Sequence, residues 1–212
     1  MGPQGSGKTT YAMLVAYEVY GNWSDVLGHL YFDPMESLPR LREALETGSR
    51  VPLIIYDDAG LHLSKYLLST GKRGWRIAVL FNGLINLART VTAALIYTSP
   101  DMDILKELRK KAWIIAEPMA PHGASRPERA AYLYRKRILA SGRPIAKKIG
   151  IDFYRLDSIP DWVRKHYEAK RREAMKPLME QLNAIVKGGG EDEEAPPQSH
   201  EATEEGEIEL EI

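Results

Sequence analysis

The amino-terminal run "GPQGSGKTT" has the spacing Gly2-x-x-x-x-Gly7-Lys8-Thr9, with an additional glycine at Gly5. Glycines let a backbone curl until successive N–H groups converge on phosphate oxygens. A following lysine then reaches the β- and γ-phosphates, and a hydroxyl takes a place on Mg²⁺. By that chemistry Gly2, Pro3, Gln4, Gly5, Ser6, Gly7, Lys8, Thr9 and Thr10 form a candidate nucleotide-binding loop, with Lys8 also a catalytic candidate and Thr9 a metal ligand. Further along, "VPLIIYDD" ends an apolar run on two carboxylates. In phosphate-loop chemistry an acidic residue at such a strand end holds Mg²⁺ opposite the hydroxyl, which is the role expected of Asp57. Asp58 then stands where a base can orient the attacking water, one methylene shorter than a glutamate. "VTAALIYTSP" ends on Thr98 and Ser99. Thr98 is the candidate for sensing the γ-phosphate or the water, because Ser99 is expected to cap a helix that Pro100 opens.

These side chains meet only if strands and helices deliver them to one edge of a sheet. "TTYAMLVAYEVY" reads as the helix whose amino terminus faces the anion. "HLYFD" follows as a short strand, then a helix around "MESLPRLREALETG" that Gly48 ends. "VPLIIYDD" reads as a buried parallel strand. Helices are expected over 59–70, 75–90 and 101–111, with strands at "VTAALIYTSP" and "AWIIAEP" between and after them. Strands alternating with helices predict a three-layer α/β fold around a parallel sheet. A buried strand should also feed the loop, and no apolar run precedes Gly2. The expectation is a truncated or misassigned start, or an empty strand position beside the Asp57 strand or its neighbour.

After Pro127 the rhythm changes. "AAYLYRKRILA" and "KIGIDFYRL" predict an antiparallel hairpin, and "SIPDWVRKHYEAKRREAMKPLMEQLNAIV" a charged helix interrupted or kinked near Pro177. The organisation expected is a nucleotide-binding core over 1–125, a basic hairpin and helical extension over 126–187, and a disordered acidic tail over 188–212.

Charge follows that division. The chain carries 29 basic and 29 acidic side chains, but ten of the acidic ones lie in 188–212, which has no Lys or Arg. Between Arg126 and Lys176 there are 15 basic and six acidic residues, a surplus that suits nucleic-acid phosphates. Tyr132, Tyr134, Phe153 and Tyr154 are placed to stack on bases or, by their alternation, to line a buried hairpin face. The tail could solvate the protein, shield the basic body, mimic nucleic acid or bind a partner protein. With no cysteine, disulfides and thiolate metal sites are excluded, and the five histidines lack metal-site spacing. No apolar run is long enough to span a membrane, so a soluble cytoplasmic protein with no membrane association is expected.

On "GPQGSGKTT", "PLIIYDD" and "AALIYTSP" the chain resembles an additional-strand-type P-loop ATPase, the class of AAA+ proteins, RecA-like motors and FtsK/HerA-like ATPases, over about residues 2–117. The specialised basic extension is similar in style to archaeal virus or plasmid proteins. The resemblance implies Lys8 and Thr9 on phosphate and Mg²⁺, Asp57 on Mg²⁺, Asp58 on water, and Thr98 or Ser99 as sensor. The implied cofactors are ATP and Mg²⁺. It also implies an ATPase acting on nucleic acid, DNA favoured over RNA, and, because such motors often form rings, a homo-oligomer. A partner subunit often supplies an arginine, for which Arg109, Arg126 and Arg129 are candidates. Departures are the absent first strand and Asp58 in place of glutamate. The alternatives are a nucleotide-dependent nucleic-acid-binding or assembly protein with little turnover, a GTPase, suggested by "DDAG", or a small-molecule kinase.

Overall fold

The computed structural model describes residues 5–58, 83, 86, 90–99, 112–123, 126–138, 144–188 and 209–211. Gly2, Pro3, Gln4, the helices expected over 59–70 and 101–111, most of that over 75–90, Arg109 and most of the acidic tail lie outside these residues.

The described chain is a three-layer α/β fold with a parallel sheet and flanking helices. Strands β1 (Leu30–Tyr31), β2 (Val51–Tyr56) and β3 (Thr92–Tyr97) form the parallel sheet in the order β1-β2-β3. β2 lies in the middle and is covered on both faces, which is why it reads as an unbroken apolar run. Leu53 and Ile55 face one side and join a core with Ala12, Met13 and Ala16 of α1 (Lys8–Tyr20), and Val26 and Leu27 of α2 (Trp23–Gly28). The small Ala12 and Ala16, one turn apart, let α1 approach the sheet closely. Tyr56 points to the opposite face, where its hydroxyl meets Ser37 Oγ at 2.8 Å beside α3 (Leu38–Thr47). A short 3-10 turn, Pro34–Ser37, leads into α3, and Gly48 ends it in a left-handed conformation. Among the described residues β3 is an edge of this sheet, with Ala93 and Ala94 exposed.

β4 (Ile114–Met119), read from the sequence as following the rhythm of the parallel core, instead hydrogen-bonds antiparallel to β5 (Glu128–Ile138), which pairs antiparallel with β6 (Pro144–Arg155). β7 (Glu209–Glu211), from the acidic tail, aligns parallel to β6 at Ile145–Lys147. The last helix, α4 (Asp161–Gly188), is continuous through Pro177, so of the interruption or kink expected there the interruption does not occur. Its first turns do not stand apart from the core. Val163 is fully buried with Ile159 against α1 and α2, and Tyr167 and Ala174 pack on the same cluster. Lys170 inserts its ammonium among backbone carbonyls, donating to Leu27 O at 3.3 Å and to Leu30 O, and lies 5.1 Å from the centre of the Tyr31 ring. Burial holds its pKa below the ordinary lysine value. Val163, Tyr167, Lys170 and Ala174 thus make one helix face at steps of four, three and four.

His29 is a packing residue, buried, stacked on Tyr20 at 4.7 Å, with Nδ1 2.8 Å from Asp25 O. Among the described residues no His, Cys, Asp or Glu cluster is assembled for a metal, and no helix is long and apolar enough to cross a membrane.

Candidate functional site at the strand ends

Gly5 and Gly7 both have left-handed backbones, with φ of 80° and 93°. The curl they form ends on α1, whose N-cap is Gly7 itself, so no side chain caps its first turn. Tyr154 of β6 reaches across from the second sheet and donates its hydroxyl to Gly7 O at 3.1 Å and Ser6 O at 3.4 Å. Burial pushes the Tyr154 pKa up to about 12, so it remains a neutral donor. A Cβ built on Gly7 would lie 2.7 Å from both Tyr154 Oη and Leu156 Cδ2. Gly7→Ala therefore combines a strained left-handed backbone with a steric overlap. It is expected to lower stability by about 1–3 kcal/mol, read as the shift in urea midpoint. An unchanged midpoint would mean that the loop is not held against Tyr154.

One helical position into α1, Thr9 Oγ1 donates to Asp57 Oδ1 at 2.8 Å, closing the distance between loop and strand end. Asp57 is fully buried. It also accepts from Thr98 Oγ1 at 2.5 Å and, through Oδ2, from Tyr167 Oη at 2.7 Å. Burial raises the Asp57 pKa; Asp58 adds to the rise, while hydrogen bonds from Thr98, Tyr167 and Thr9 oppose it. Tyr167 is raised as well, first by burial and then by the Asp57 charge, which keeps its proton on the donor side of that bond.

Asp58 is the one non-glycine residue among those described with positive φ, at 48°. Its N–H donates to Thr98 Oγ1 at 3.0 Å, so Thr98 bridges the two aspartates. The Asp58 side chain accepts from Arg171 Nη2 at 2.8 Å. Non-glycine residues rarely sit in this region, and those that do cluster at functional sites.

The structure therefore gathers Ser6, Gly7, Thr9, Asp57, Asp58, Thr98 and Ser99 at one end of the parallel sheet. Lys8 and Thr10 stand in the first turn of α1. Ser99 Oγ is buried and makes no hydrogen bond among the described residues, and Ser6 Oγ is in the same condition; the helix that Ser99 is expected to cap lies outside the described residues. Arg129 turns to backbone carbonyls, donating to Arg126 O and Glu128 O at 2.7 Å each.

Two residues at the site escaped the sequence reading, Tyr167 and Arg171. They lie one turn apart on α4, which reads as a charged extension. The available signal was the spacing of Val163, Tyr167, Lys170 and Ala174, an apolar-containing face within a basic helix. The aromatic set also divides. Tyr154 turns toward the loop and packs against Tyr11, ring centres 5.1 Å apart and tilted by 43°, whereas Phe153 is 73% exposed on the other face of the sheet.

No family model matches the chain, and no solved structure matches it. Two viral proteins do. The alignment with the uncharacterised protein B-251 of Sulfolobus spindle-shape virus 1 is 30% identical over 201 residues, covering 87% of this chain and 77% of that protein. The chain belongs to the B-251 family. The uncharacterised protein ORF286 of Acidianus two-tailed virus is 36% identical over 104 residues, which is 49% of this chain and 36% of ORF286.

The donors facing Asp57 are all oxygen-bearing, and a buried carboxylate served among the described residues by three neutral hydroxyls gains from a nearby cation. Hydroxyl and carboxylate oxygens are the hard ligands that Mg²⁺ takes alongside water and substrate phosphate. With a left-handed glycine curl ahead of an uncapped helix and the unpartnered Ser6 Oγ, the residues present fit a Mg²⁺-bound nucleoside triphosphate.

Proposed function

We propose that this chain is a Mg²⁺-dependent ATPase of the P-loop class that acts on nucleic acid. The observation that carries this reading is the 2.8 Å bond from Thr9, just past the left-handed Gly7, to the buried Asp57 at the end of β2. The backbone of residues 2–10 and Lys8 would hold the phosphates, and Thr9 and Asp57 would hold the metal. Bound Mg²⁺ supplies neutralisation of charge developing on the phosphates. Asp58 orients water, its carboxylate placed by a strained backbone whose N–H is tied to Thr98. Thr98, bonded to both aspartates, sets their relative position.

The nucleic-acid part of the reading rests on the long strands. Arg135 and Lys147 are directly opposite in the β5–β6 register, both exposed, with Arg137 exposed on the same face. Like charges placed opposite each other destabilise a sheet unless something anionic lies near them; Glu211 of β7 is in register with Lys147 on its other side, so the acidic tail shares this region with any anionic ligand. DNA is the first substrate to test. Replacing Arg135, Arg137 and Lys147 together by Ala is expected to flatten the plot of log affinity against log salt, by roughly 0.7–0.9 for each phosphate that is no longer neutralised. An unchanged slope would take these residues out of the interface. In the basic run 170–172, Lys170 is engaged inside the protein and Arg171 is paired with Asp58, so neutralising the whole run would damage the fold and the site as well as any phosphate contact.

Phosphate release from ATP that requires Mg²⁺ and rises with added DNA is the decisive assay, with GTP as competitor. The second reading, a nucleotide-dependent binding or assembly protein with little turnover, is favoured by Asp58 being paired with Arg171. Saturable ATP binding without phosphate release would select it.

A further inference from the structure

Arg171 is in contact with two surroundings. On one side its guanidinium meets Asp58, whose side chain is 23% exposed, while Arg171 itself is 44% exposed. On the other it lines an open cleft of about 450 Å³ with Arg172, Met175, Lys176 and Met179, where Glu180 is an opposing charge and Lys176 is paired with Glu173 at 2.8 Å, so Arg171 and Arg172 are its guanidinium groups for an anion. The backbone beneath Arg171 is fixed, because Val163, Tyr167 and Lys170 anchor α4 to the core. Asp58 is fixed independently through its N–H on Thr98. Only the arginine side chain has to move for the pair to open. A half-exposed ion pair contributes little, up to about 1 kcal/mol, so another anion can compete for it. A phosphate diester is such an anion, and the planar guanidinium suits it.

We propose that α4 regulates the site from within the same chain: Arg171 holds Asp58 in the ligand-free protein, and nucleic-acid phosphate entering the cleft takes Arg171 over and leaves Asp58 free to orient water. Arg171 is then a positioning residue that acts through Asp58. Nucleic acid becomes the signal that licenses the site. This rests on the nucleic-acid reading above and deepens it by naming the ion pair that is exchanged.

Coupling of this kind is reciprocal, so it can be read without nucleotide. If nucleic acid must draw Arg171 away from Asp58, removing the acceptor strengthens nucleic-acid binding. Fluorescence anisotropy with a labelled single-stranded DNA at low salt, on wild type, Asp58→Asn, Arg171→Ala and the double variant, makes the test. D58N is expected to tighten binding about threefold to fivefold, the range set by a half-exposed pair. In the R171A background D58N is expected to change nothing. Equal tightening in both backgrounds would make the effect a general charge effect and overturn the proposal, as would no tightening in either. Should R171A fold poorly, Arg171→Gln takes its place in the same comparison. No binding by any of the proteins would instead overturn the nucleic-acid reading itself, a result distinguishable from binding without coupling.

Discussion

Lys8→Ala is expected to weaken ATP binding by about 10- to 100-fold, the equivalent of one charge-assisted hydrogen bond to phosphate. Lys8 opens α1, directly after the left-handed Gly7, where the helix amino terminus and the curl of backbone N–H groups converge. An ammonium there adds a full charge to partial charges that the backbone already supplies. Alanine is at least as good a helix former as lysine, so α1 is expected to survive the change and the loss to be one of affinity. Isothermal titration of ATP into both proteins measures it. Equal affinities would remove Lys8 from the phosphate site and, with it, the phosphate-binding role of the loop.

Asp57→Asn is expected to act in opposite directions on stability and binding. The carboxylate is buried at a cost that three hydroxyl donors only partly offset, as its raised pKa records. An amide of the same shape removes that charge, can still accept hydroxyl bonds through its oxygen, and lets hydroxyls turn to meet its N–H groups. The ligand-free variant should gain about 1–3 kcal/mol at neutral pH, the usual scale for relieving an incompletely compensated buried charge. The same substitution should abolish the Mg²⁺ dependence of nucleotide binding. A pH series adds a sign. Because the folded-state pKa lies above the unfolded one, the stability it contributes is present below the ordinary aspartate range and is lost as pH rises through the raised value. Wild-type ligand-free protein should therefore lose urea midpoint over that interval, and D57N should not. A variant less stable than wild type at neutral pH would mean that the charge is better compensated than these hydroxyls allow.

The loop-to-strand half of the site was legible because its chemistry is local. Glycine spacing dictates the curl at Gly5 and Gly7, and an apolar run ending on aspartates announces a central parallel strand covered on both faces, as Leu53, Ile55 and Tyr56 are. Only the three-dimensional fold could bring α4 to that strand end. Tyr167 and Arg171 sit in a run dominated by charge, and Lys170 disguises a core position, since its stem and ammonium are satisfied by the carbonyls of Leu27 and Leu30. β4 was misplaced for a related reason. "IIAEPM" has the apolar content of a buried parallel strand, and nothing within it records that its partner is β5 and runs the other way. The alternation at Phe153 and Tyr154 was visible, but which of the two turns inward depended on α1 presenting Tyr11 and the loop carbonyls to that side of β6.

The most direct measurement is a titration of ATP into the full-length protein by calorimetry, with and without Mg²⁺. Saturable binding at one site per chain, stronger with Mg²⁺ and lost or greatly weakened in D57N under the same conditions, is the expected result. Absence of binding in both conditions, or binding indifferent to Mg²⁺ and unchanged in D57N, would contradict the assignment of Thr9 and Asp57 as the two protein ligands of a nucleotide-bound metal.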